Sequence, residues 1–349
     1  MEDAAVPIVD VEPLRNGCQA DRQRVADLIG AACRDNGFFY IVGHGVPSTI
    51  IERLDQLSRE FFALPREEKM AIRMELGGRA WRGYFPVGDE LTKGLPDQKE
   101  GIYFGSELPL DHPKVLTKTP LHGGNLFPDV AGFRDAVFDY IDEMTSLGHV
   151  LMEGIALSLQ LEATYFANRY TSDPLVLFRI FHYPSLCADT DSNHETKEIE
   201  TKEIETKEIE TKELWSVGEH TDYGLLTILR QDESGGLQIK SQSKWIDAPP
   251  IAGSLICNIG DMLDRMTGGV FRSTPHRVKN SSRKARLSFP FFFDPNFDVE
   301  IEPIRSHSVD DALQRWDGES VHEFSGSYGD YVMKKVSRVF PDLGTDQLR

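Results

Sequence analysis

The sequence is poor in cysteine, in long apolar runs and in positive charge. Its four cysteines, Cys18, Cys33, Cys187 and Cys257, lie far apart with no CxxC pair. That argues against a disulfide framework or a thiolate zinc site and suits a reducing cytoplasm with free thiols. Nowhere do roughly 18 uncharged apolar residues follow one another, and the opening MEDAAVPIVDVEP has neither the basic start nor the apolar stretch of an export signal, so no membrane span or leader is expected. Lysine and arginine number 38 against 56 aspartate and glutamate, a net charge of −18. Such a surface repels phosphate backbones and anionic lipid, which excludes nucleic acid and membrane as main partners. An HExxH pattern is also absent, so nothing here suggests a zinc hydrolase with its general base at that spacing.

At 349 residues and 40% apolar content, the chain can bury a large core. In DRQRVADLIGAACRDNG, Val25, Leu28, Ile29 and Ala32 recur at helical spacing and Gly37 stands where a C-cap belongs. FFYIVG (38–43) reads as a strand, and Ser48 is placed to cap a second helix carrying Ile51, Leu54, Leu57 and Phe61. Glycine and proline break every pattern from Trp81 to Pro128, after which a long amphipathic helix is expected from about Val130 to Leu161. Beyond Pro174 the texture turns to short β-rich runs, VLFRIFHYP, YGLLTILRQ, GLQIK, SLICNIG and RLSFPFFF, spaced as in a jelly roll. The expected fold is mainly β, with a double-stranded β-helix core. Its parts are a mixed N-terminal region (5–125), scaffold helices (126–173), the core (174–300), and a C-terminal tail and helix (301–349). Four near-identical pentads, ETKEI to ETKEL (195–214), interrupt the core. Glu198 precedes Lys202 by four residues, which supports a helix modestly, but a five-residue repeat drifts around a 3.6-residue turn. A solvated insertion without chemistry is expected there, with a lid element as the alternative.

In EHTDYGLLTIL, His220 and Asp222 stand two residues apart where a strand begins, so both side chains are expected on one sheet face. His276, in FRSTPHRV, can join them from another strand. Two imidazoles and one carboxylate make a facial triad for iron(II), leaving three positions for cosubstrate and oxygen. On the strand RLSFPFFF, Arg286 and Ser288 face the same way, so a guanidinium fork and a hydroxyl could grip one carboxylate at a fixed distance from the metal. Counting on by twos brings Phe292 to the same cavity. Pro290 lacks an N–H and suggests a ladder interruption or an edge. Most of the other histidines, among them His44 and His194, are expected to be surface or structural.

These residues and their surroundings resemble the iron(II)/2-oxoglutarate-dependent dioxygenase superfamily in its isopenicillin N synthase-like branch. The likeness runs through VPIVDV, GFFYIVGHGVP and FFALPREEK, then RIFHYP, HTDYGLLTIL, GGLQI, WIDAPP, NIGDML, RSTPHRV and RLSFPFFFDPN, nearly the whole chain except the pentads. The resemblance implies a double-stranded β-helix, with His220, Asp222 and His276 on iron and Arg286 and Ser288 on the far carboxylate of 2-oxoglutarate. It adds Tyr183 as a further partner of that carboxylate and Phe292 as a pocket residue. Where plant members often carry an asparagine near the proximal carboxylate, this chain has Phe181, which leaves that contact unassigned. Aromatic residues around Trp81, Tyr84, Tyr103 and Phe104 are candidates to close over a substrate. The implied reaction couples decarboxylation of 2-oxoglutarate, with O2, to oxidation of a small organic metabolite, most commonly hydroxylation, with ascorbate stimulating. A monomer is expected. The alternatives are an iron oxidase of the same branch that does not use 2-oxoglutarate, of the ring-closing or ethylene-forming kind, and more distantly a non-catalytic metal-binding module.

Overall fold

Alternating β-rich runs after Pro174 build two facing sheets in the computed structural model, which describes residues 6–185, 215–241, 244–279, 284–304 and 325–339. The pentads 195–214, His194, His307, His322 and Cys187 lie outside the described residues. The described strands are β1 (Ile8–Asp10), β2 (Phe38–Val42), β3 (Gly83–Phe85), β4 (Leu91–Thr92), β5 (Leu95–Pro96), β6 (Glu100–Gly105), β7 (Leu175–Tyr183), β8 (Val217–His220), β9 (Leu226–Gln231), β10 (Leu237–Ser241), β11 (Lys244–Asp247), β12 (Leu255–Ile259), β13 (His276–Val278) and β14 (Arg286–Asp294). The larger sheet runs β1-β2-β12-β9-β14-β7-β6-β3 and the smaller runs β11-β10-β13-β8. From β7 onward the chain passes back and forth between the two sheets. This interleaving is the double-stranded β-helix, and N-terminal strands extend the larger sheet at both edges.

Strand β14 shows how sequence alternation places the site. Its odd-numbered residues Leu287, Phe289, Phe291 and Phe293 are buried, and Phe293 meets the long helix Phe133–Ser158 at Gly148. Its even-numbered residues Arg286, Ser288, Pro290 and Phe292 line a cavity between the sheets. Successive side chains in a strand point to opposite faces, so one segment serves both core and site. A fully buried phenylalanine contributes about 1.5–3 kcal/mol, which makes this helix-on-sheet face a main source of stability.

The long helix buries Phe133, Ala136, Val137, Tyr140, Met144, Leu147 and Leu151, an i, i+3/i+4 stripe against the sheet. It is shorter than the sequence suggests. Gly132 takes a left-handed φ of +77° just before its first turn, and Gln160 a φ of +59° just after its end, so neither flank can continue the helix. The helix Ser48–Phe62 begins where expected, but Pro47 occupies the capping position and no side-chain cap bond forms. Pro290 interrupts a ladder without marking an edge. Strand β14 lies between β9 and β7; its pairing to β9 is continuous from Ser288 to Phe293, while pairing to β7 skips Phe289 and Pro290. The helix Tyr328–Val339 then contributes Val332, Lys335, Val336 and Val339 to the cavity lining.

Candidate active site

His220 ends β8 and His276 begins β13, and the two are direct cross-strand partners in the smaller sheet. Their ring centroids lie 4.3 Å apart. Asp222 is not on the strand with His220, which corrects the same-face expectation. It sits in the connection that leaves the smaller sheet for β9 in the larger one. The reason is geometric: the three ligands converge on a point between the sheets, so the carboxylate must come from the crossover. Asp222 Oδ1 lies 4.0 Å from His220 Nε2 and 3.8 Å from His276 Nε2. Two metal bonds of about 2.0–2.2 Å reach across such separations, and cis coordination of one ion would draw the atoms in to about 3 Å.

Hydrogen bonds assign the remaining atoms. His220 Nδ1 is 2.8 Å from the Gly218 carbonyl and His276 Nδ1 is 3.2 Å from the Thr274 carbonyl. Each ring therefore donates through Nδ1 and turns its Nε2 lone pair inward. Thr227 Oγ1 and Asn258 Nδ2 donate to Asp222 Oδ2 at 2.5 and 2.7 Å, which leaves Oδ1 toward the imidazoles. Burial lowers the pKa of His220, and burial together with the neighbouring His220 lowers that of His276 to about 4. Burial opposes ionisation of Asp222, but His276, His220 and its two hydrogen bonds outweigh it and hold the carboxyl below its usual range. Neutral imidazoles and an ionised carboxylate are the forms that ligate a metal. Among the described residues, these three make the group of histidine and acidic side chains able to share an ion.

Across the cavity, Arg286 pairs with Tyr183 and Ser288 with Phe181 in the β14–β7 register. Tyr183 Oη and Ser288 Oγ are 3.3 Å apart, and the Arg286 guanidinium lies 4.6 Å from the Tyr183 ring centroid. Arg286 is 1% exposed. Its Nε donates to the Gly235 carbonyl at 2.7 Å, while Nη1 and Nη2 are buried without a hydrogen-bond partner. A buried guanidinium with two idle donors beside a hydroxyl pair is a receptor for an anion.

Comparison with known proteins settles the family. Residues 177–295 match the model of the 2OG-Fe(II) oxygenase superfamily, and residues 6–130 that of the non-haem dioxygenase N-terminal region named for morphine synthesis. The chain belongs to the 2OG-Fe(II) oxygenase superfamily. It is 52% identical to a probable iron/ascorbate oxidoreductase of Dictyostelium discoideum, covering 98% of this chain and 97% of that protein. It is 34% identical to a homoarginine-6-hydroxylase of Glycine max, covering 97% and 98%. The crystal structure of a 2OG-Fe(II) oxygenase family protein from Caulobacter crescentus superposes with a TM-score of 0.76 at 26% identity, covering 97% of this chain and 100% of that chain. The enzyme is thus an iron(II)- and 2-oxoglutarate-dependent oxygenase, and its jelly-roll core is that of the superfamily.

In this oxygenase the cavity between the sheets measures about 480 Å³ and takes in the triad, Arg286, Ser288, Tyr183, Phe181 and Phe292. Tyr103 and Phe104 do not reach it. Tyr103 sits behind the lining, its hydroxyl on Glu90 at 2.8 Å and its ring 4.1 Å beneath the Arg179 guanidinium. Phe104, the next residue on β6, turns to the opposite face and stacks on Phe127 at 5.2 Å, within the helix-side core. Its expected place in the pocket is therefore corrected, since neighbours on a strand cannot share a face. Tyr84 is occupied too, donating to buried Glu100 at 2.6 Å. Sequence reasoning missed Thr227 and Asn258, which orient Asp222, and it missed Arg179. Arg179 could have been found: in FRIFHYP it stands two residues from Phe181 and four from Tyr183, on the face that looks inward.

Proposed function

We propose that His220 Nε2, His276 Nε2 and Asp222 Oδ1 hold iron(II), and that Arg286, Ser288 and Tyr183 hold the far carboxylate of 2-oxoglutarate. The observation that carries the reading is the pair of buried, unpartnered Nη atoms on Arg286. A carboxylate accepts from both at once, and the hydroxyls of Ser288 and Tyr183 complete its shell. Bound iron supplies the oxidising chemistry; the protein supplies orientation, a fixed ligand geometry and exclusion of water. Phe292 and the apolar face of the helix Tyr328–Val339 border the organic substrate in this reading, keeping the reacting carbon out of bulk solvent. We further propose that the protein acts in the cytoplasm, a reading that the free, buried thiols of Cys33 and Cys257 support, and that it is a monomer; light scattering that returned a dimer mass would count against the second part.

The test is an anaerobic titration of the iron(II) protein with 2-oxoglutarate, read as the metal-to-ligand absorption band. Wild type should give the band, and Arg286→Gln should weaken cosubstrate binding by about tenfold or more. Equal affinity in the two proteins would sink the clamp. One relative supplies a second reading. The chain is 42% identical to a 1-aminocyclopropane-1-carboxylate oxidase of Dictyostelium discoideum. Consumption of that amino acid with ascorbate and oxygen, undiminished when 2-oxoglutarate is omitted, would favour it.

A further inference from the structure

The cavity holds a second guanidinium, its side chain 14% exposed, and the triad and the Arg286 clamp leave it without a task. Arg179 projects from β7 into the cavity, and the β14–β7 register sets it opposite Pro290, four residues along from Arg286. At about 3.3 Å of rise per residue, the two positions are ~13 Å apart along the sheet. That spacing is between backbone positions, and the Arg179 guanidinium leans away from Arg286, against Tyr103 and Phe292. Arg179 is therefore placed for a group other than the far carboxylate of the cosubstrate.

Its surroundings are built to keep the guanidinium in place without satisfying it. Its planar group is clasped between the Tyr103 ring at 4.1 Å and the Phe292 ring at 4.8 Å. Nε is buried with no hydrogen-bond partner. The nearest carboxylate, Glu90 Oε1, is 3.7 Å from Nη1, beyond hydrogen-bond reach. Glu90 is committed elsewhere: it accepts from Tyr103 Oη at 2.8 Å and pairs with Lys99 Nζ at 2.9 Å. Lys99 also holds Asp97. By count the four charges balance, but Lys99 lies within 2.9 Å of both carboxylates, whereas Arg179 has only a looser ion pair with Glu90 at 3.7 Å. Asp222, whose Oδ2 is occupied, and Asp294, bonded to Tyr328, feel its charge without making an ion pair with it.

We infer that Arg179 is the anchor for a carboxylate on the organic substrate, which makes the substrate class a small monoanionic carboxylic acid whose apolar stem lies along Phe292. A single negative charge fits better than a phosphate dianion, because Glu90 stands 3.7 Å from the same guanidinium. This inference rests on the reading that Arg286 holds 2-oxoglutarate.

The experiment uses the iron(II) protein with saturating 2-oxoglutarate and a panel of simple carboxylic acids and 2-amino acids, each beside its primary amide. Two readouts are taken: perturbation of the anaerobic absorption band, and stimulation of succinate release in air. Acids should act at concentrations about tenfold or more below their amides. Arg179→Gln should erase that difference, and Arg179→Lys should restore part of it. Acids no better than amides in wild type, including a panel in which neither acts, overturn the inference without needing a variant, as does an acid preference that survives Arg179→Gln. A normal band with no acid preference removes only the role of Arg179. Absence of the band in wild type removes the clamp as well.

Discussion

At the scale of single residues, the site is a set of atoms each told which way to face. His220 and His276 spend Nδ1 on the carbonyl two residues earlier, and Asp222 spends Oδ2 on Thr227 and Asn258. Partners of this kind typically account for 10–100-fold in metal affinity. Thr227→Val should therefore weaken iron binding by about tenfold while leaving the fold intact, measured by competition with a chelator and by circular dichroism. Unchanged affinity would mean that Asn258 alone orients the carboxylate. His276→Ala should fail to retain iron and should release no succinate above background, measured by metal analysis and a coupled assay. The ligands themselves were legible, because two histidines and an aspartate near strand runs form a recognisable donor set. Their supports were not, since no pattern links Asn258 to Asp222 until β12 and β9 pair.

At the scale of elements, the long helix and β14 form one mechanical unit. A Cβ added at Gly148 would fall 2.6 Å from the Phe293 ring, a separation that real contacts do not tolerate. Gly148→Ala should cost about 1–3 kcal/mol in urea unfolding, by forcing helix and strand apart. The same displacement would reach Phe292 and Ser288 on the other face. The strand runs of the core were readable from alternation and turn residues, and β7, β10, β12 and β14 fall close to the expected segments. What composition could not reveal is which sheet each strand joins. Placing Asp222 on a strand with His220 failed for that reason, because a crossover between sheets has no signature in local propensity. Phe104 was misplaced by a related ambiguity: on β6, apolar residues fill both faces, so alternation assigns no inside.

At the scale of the whole molecule, charged groups inside the core tie stability to solution conditions. Burial raises the pKa of Asp294 from 3.8 to about 7, with Asp222 adding to the shift and the Tyr328 hydrogen bond opposing it. The protonated form is the one the folded state favours. This contribution is complete below the unfolded value near 3.8 and is lost as pH climbs through about 7. Asp294→Asn should thus gain on wild type in melting temperature as pH rises across that window, and a constant difference would refute the assignment. The Arg286 guanidinium carries a different linkage. Two buried donors without acceptors penalise the ligand-free fold, and a ligand that supplies the acceptors adds stability by mass action, about 2.7 kcal/mol at a hundred times its dissociation constant. If that ligand is 2-oxoglutarate, as proposed, the resistance of the protein to unfolding and proteolysis is coupled to the supply of a metabolite: when 2-oxoglutarate runs short, the enzyme loses not only a reactant but part of what keeps it folded.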